Sequence, residues 1–157
     1  MNQVEVYKEA KLSPHFSLGE LTRSKSHPEI YNIPSRQVIE NLKRLCGWLE
    51  MLRSEWNNRY GEGNDPIIIN SGYRSAEVNR AVGGVATSNH LTGCAVDIRV
   101  KDISQLIRYA TILLDISEES GEAFDELLLE RNARGAIWLH FAVRPSGNRK
   151  KVLQISS

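Results

Sequence analysis

Ser88-Asn89-His90-Leu91-Thr92-Gly93-Cys94-Ala95-Val96-Asp97 sets a histidine and an aspartate seven positions apart, with a glycine and an alanine between them. Thr87 to Gly93 is rich in Ser, Thr, Asn and Gly and reads as a loop. Gly93 to Val100 reads as a strand in which Cys94, Val96, Ile98 and Val100 share one face and Ala95, Asp97 and Arg99 the other. Asp97 therefore points away from the more apolar face. Gly93 lets the incoming loop fold back towards it, and the small Ala95 leaves room beside it.

A second histidine stands far downstream, in Trp138-Leu139-His140-Phe141. His90, Asp97 and His140 together match the donor set of a catalytic zinc that keeps its fourth position for water. Taken one at a time they read as a polar-loop histidine, a strand-end aspartate and a half-buried histidine beside a tryptophan. His15 and His27 read as ordinary surface residues.

The order Ser-x-His-x-x-Gly-x-Ala-x-Asp, then Trp-x-His, resembles the zinc D-alanyl-D-alanine carboxypeptidases and their relatives, the LAS metallopeptidases. Among these are the vancomycin-resistance dipeptidases, the phage L-alanyl-D-glutamate endopeptidases and, by fold, the hedgehog signalling domain. The likeness runs from about Phe16 to Val143 and includes Phe16 to Leu21, Ser71-Gly72-Tyr73-Arg74-Ser75 and Phe124 to Glu130. It implies an α+β domain with an antiparallel sheet and helices on one side, one zinc ion on His90, Asp97 and His140, and hydrolysis of peptidoglycan stem peptides beside D-amino acids. Members act as D-Ala-D-Ala carboxypeptidases, dipeptidases or L-Ala-D-Glu endopeptidases.

One position departs from that pattern. Relatives place a Glu or Asp as general base three residues before the last histidine, and here that residue is Ile137. The nearest replacement is Glu130, which a hairpin would set opposite residues 137 and 138. Glu130 is either that base or a solvated carboxylate beside Arg131 at the hairpin tip, and a one-residue register choice decides which. Asp125 and Glu126 lie farther from the turn. Arg74 either holds a substrate carboxylate or developing oxyanion or makes a structural salt bridge. Ser88 either bonds the substrate terminus or caps a turn. Tyr73 and Trp138 are candidate cleft walls, and Asn89 and Thr92 read as loop residues. The loss of the acid at 137 keeps a rival open, a non-catalytic zinc-binding recognition module. A second rival is a phage particle component on the same fold.

The 157 residues suit one domain, with a flexible leader at 1–15 and a zinc peptidase domain at 16–157. A net charge of +1 gives no electrostatic case for nucleic acid or an anionic membrane, and no run reaches spanning length. A monomer is expected. The two cysteines, Cys46 and Cys94, read as buried free thiols rather than a disulfide. The start lacks a signal-peptide core, so the expected location is cytoplasmic until release, or phage-associated.

In chain order, Ser17 and Glu20 form a capping box for a short helix. Ser35 caps the longest helix, with Val38, Leu42, Leu45, Leu49 and Leu52 as its stripe and an end near Arg59. Ile67 to Asn70 reads as a buried strand that delivers Arg74. Ser75 caps a helix to about Val82, and Asp102 or Ser104 caps one striped by Leu106, Ile107, Ala110, Leu113 and Leu114. Phe124–Glu130 and Ala136–Val143 read as a hairpin. The tail from Arg144 to Lys151 is expected to fray.

Overall fold

The computed structural model describes residues 8–24, 26–30 and 32–157. Four helices have their ends set by the residues that the sequence offers as caps. Helix α1 (Leu18–Thr22) opens on Ser17, whose hydroxyl accepts from Glu20 N while the Glu20 carboxylate accepts from Ser17 N. Helix α2 (Arg36–Arg59) opens on Ser35, α3 (Ala76–Ala81) on Ser75, and α4 (Ile103–Ser120) on Asp102 rather than Ser104. Each cap satisfies a backbone N–H that the first turn leaves orphaned.

A short hairpin joins β1 (Lys11–Ser13) to β2 (Phe16–Ser17). Of the leader expected at 1–15, residues 1–7 lie outside the described residues. Ser13 and His15 both bond the Glu50 carboxylate on α2, at 2.6 and 2.8 Å.

The main sheet has the order β3 (Ile69–Ser71), β4 (Ala95–Arg99), β6 (Ile137–Ala142), β5 (Glu126–Arg131), β7 (Lys151–Ser156). Every pairing is antiparallel except β5 with β7, which is parallel. One face carries Val96, Ile98, Leu127, Leu139 and Phe141, all fully buried under α2 and α4. Trp48 of α2 sits with its ring 5.3 Å from Phe141. The fold is thus the expected α+β arrangement, with helices on one side and the other face left open for a site.

Three local expectations need correction. The tail does not fray. Asp125 binds Arg149 and Lys150 N donates to Phe124 O, which leads the chain into β7. The buried stripe of α4 is Leu106, Tyr109, Ala110, Ile112, Leu113 and Ile116, while Ile107 and Leu114 face outward. Strand β3 begins at Ile69, two residues later than the apolar run suggests. Both cysteines are free and buried, as expected, and burial pushes the Cys46 thiol up to about 12.

Candidate metal centre and its cleft

The site is built on the open face of the sheet. Pairing sets Asp97 opposite Ser71 on one side and His140 on the other. Directly opposed residues point to the same face, so Asp97 and His140 share it. His90 arrives from a 3₁₀ turn (Asn89–Thr92) that Ser88 caps, its hydroxyl accepting from His90 N at 3.1 Å. Gly93 ends that turn at φ +73, where a Cβ would come within 2.8 Å of Val38 Cγ1 and 2.9 Å of its carbonyl oxygen. Glycine here allows the reversal that drops His90 onto Asp97.

Asp97 Oδ1 lies 3.4 Å from His90 Nε2 and 3.1 Å from His140 Nδ1. One donor atom from each of the three residues falls within 4.8 Å of the others. The far nitrogens are spoken for. His90 Nδ1 donates to Gly72 O at 2.7 Å, which leaves Nε2 as the free lone pair. His140 Nε2 meets Glu126 Oε1 at 3.1 Å, which turns Nδ1 inward. Histidines that hold a metal are oriented in this way, through a carbonyl or carboxylate on the outer nitrogen.

The buried groups of the centre shift one another's protonation. Burial opposes ionisation of Asp97, yet the flanking imidazoles hold its carboxyl well below the usual range. Burial pulls His140 down, but carboxylates at both of its nitrogens raise it to about 9. A zinc ion fits this set of two buried imidazoles and one carboxylate. Zinc held here would compete with the proton on His140, so its affinity would fall as pH drops.

The triad lies in a cleft of about 760 Å³ that also receives Arg74, Ser88, Glu130 and Trp138. The β5–β6 register pairs Glu130 with Trp138 and Leu128 with His140, so Glu130 shares the face of His140. Its Oε2 accepts from Trp138 Nε1 at 2.6 Å. Burial raises the Glu130 carboxyl above its ordinary value, and Asp97 adds to the rise. Ile137 pairs with Arg131 and packs against the core. An acid at 137 would thus face the helices, so its absence removes nothing from this cleft.

Arg74 combines both of its readings. It lines the cleft, and it also donates from Nη2 to Asp97 Oδ2 and from Nε to Ser71 Oγ, each at 3.2 Å. Ser88 likewise caps the turn while lining the cleft. Tyr73 does not reach the cleft. It packs against the core and lines a neighbouring pocket of about 300 Å³ together with Arg23 and Arg99.

Sequence reasoning missed two residues. Asn89, read as loop, is buried and donates to Asp125 Oδ2 at 2.8 Å and Glu126 Oε1 at 2.6 Å. Glu126, set aside for its distance from the turn, bonds His140 itself. The available signal was parity, since Glu126 and Glu130 are four apart on one strand and so share a face.

Among known proteins, no curated sequence matches this chain. The sequence profile of the peptidase M15 family matches residues 14–117, more than half of it. That stretch holds Arg74, His90 and Asp97, and the sheet register beyond it supplies His140. The chain belongs to the peptidase M15 family and is built as a zinc metallopeptidase.

Proposed function

We propose that this peptidase hydrolyses peptidoglycan stem peptides beside D-amino acids, as a D-Ala-D-Ala carboxypeptidase or an L-Ala-D-Glu endopeptidase. The reading rests on the resemblance of the Ser88–Asp97 and Trp138–Phe141 motifs to those enzymes. The observation that carries it is a half-buried Glu130 on the face of His90, Asp97 and His140.

His90, Asp97 and His140 would hold the zinc. When bound, zinc supplies a Lewis acid for the peptide carbonyl and for water. Glu130 takes a proton from the attacking water and returns it to the leaving amine. The raised affinity of Glu130 for protons suits that exchange, and the Trp138 indole fixes the carboxylate. Arg74 holds positive charge beside Asp97, where the carbonyl oxygen gains negative charge. Ser88 offers a hydroxyl at the cleft wall.

Digestion of purified peptidoglycan by the zinc-loaded protein, read by mass spectrometry of released fragments, tests this. Soluble peptides with new ends next to D-Ala or D-Glu are expected. Fully loaded protein that releases none would instead be a recognition module.

A further inference from the structure

The segment after β6 and the first residue of β7 bring three cations to the cleft, Arg144, Arg149 and Lys151. Two are held from behind by Asp125, which is fully buried. Asp125 accepts from Arg149 Nε at 3.0 Å and Nη2 at 2.8 Å, and lies 3.2 Å from Arg144 Nε. Asn89 Oδ1 also accepts from Arg144 Nε, at 2.9 Å. Among the described residues, Arg149 Nη1, both terminal amines of Arg144 and the Lys151 ammonium have no partner. The guanidinium groups are therefore locked in place with donors to spare, which makes an anion site preorganised.

Charge and position narrow the ligand. Three cations face two carboxylates, Asp125 and Glu126, so this end keeps one positive charge in surplus. At the other side of the triad, Arg74 is matched by Asp97. Glu126 reaches both ways, with Oε1 3.1 Å from His140 Nε2 and Oε2 3.6 Å from Arg149 Nη2. The cationic end thus begins one carboxylate away from a metal ligand. At roughly 3.5 Å per extended residue, a group held there belongs within one or two residues of the bond being cut.

We infer that Arg144, Arg149 and Lys151 form a subsite for a substrate carboxylate next to the scissile bond. The subsite rests on the peptidase reading of the cleft and adds the charge that its substrate carries. That carboxylate is either the α-carboxylate of a chain end or that of an acidic residue beside the bond.

Binding of two probe pairs to the zinc-loaded protein separates these sources. One pair is N-acetyl-D-Ala-D-Ala and its amide. The other is N-acetyl-L-Ala-D-Glu amide and its D-Gln counterpart. The acid form of one pair is expected to bind about tenfold or more tighter than its neutral twin, and the pair that discriminates names the source. The preference should drop in Lys151→Gln. It should also drop in Arg149→Gln, in which Asp125 keeps Arg144 and Asn89 as partners. Equal binding within both pairs, or a preference untouched in both variants, overturns the subsite. Wild-type digestion of peptidoglycan is scored alongside. Cutting without acid preference sinks the subsite and spares the hydrolytic reading, whereas acid preference without cutting sinks the hydrolytic reading and leaves the three cations as the carboxylate site of a recognition cleft.

Discussion

Glu126 shows how one carboxylate serves two neighbours. It fixes the tautomer of His140 from outside the metal centre, and Asn89 holds it there. Glu126→Gln retains the shape but gives up the charge, so zinc affinity should fall about 10- to 100-fold, measured by competition with a chromogenic chelator. Unchanged affinity would mean that the Asp97 contact alone orients His140. The cluster of His90, Asp97 and His140 was legible in the sequence because each sits in a motif of fixed spacing. Glu126 and Asn89 were not, because their roles come from contacts between residues 37 positions apart. The face of Glu130 hung on hairpin register, which the pairing of Leu128 with His140 fixes.

The reversal between the 3₁₀ turn and β4 is the element on which the site depends. Gly93→Ala adds a methyl against Val38 and forces a side chain into the left-handed region. The expected cost is about 1–3 kcal/mol, read as a lower urea midpoint with unchanged slope. A neutral result would show that the loop finds another path to Asp97. Helix starts were readable because Ser17, Ser35, Ser75 and Asp102 each carry their own signal. The stripe of α4 was harder, since Ile and Leu occur on both of its faces and only packing against α2 selects Tyr109, Ile112 and Ile116. Strand β7 escaped notice because it is an edge strand whose Val152 and Leu153 stay about half exposed. Its apolar alternation is correspondingly weak.

The chain after β6 is tied to the rest of the domain through Asp125, which receives Arg149, Arg144 and Asn89. Burial opposes ionisation of Asp125, but these donors hold its carboxyl down at about 2. An unfolded Asp titrates near about 3.9. The folded value is the lower one, so this stabilisation is complete above about pH 4 and is lost as pH falls from there towards about 2. With Arg149 half exposed and screened by water, it amounts to about 1–2 kcal/mol. The stability gap between wild type and Asp125→Asn should therefore shrink between about pH 6 and about pH 3 in urea titrations. A constant gap would place the Asp125 contribution in packing rather than charge.

The proposed centre is a hydrolytic zinc site on His90, Asp97 and His140 whose base is Glu130. Zinc content and peptidoglycan hydrolysis, compared between wild type and Glu130→Gln, test it most directly. One zinc per chain in both proteins is expected, with turnover reduced about 10²- to 10⁴-fold in the variant. A zinc-loaded Glu130→Gln protein that digests peptidoglycan at the wild-type rate would contradict the assignment.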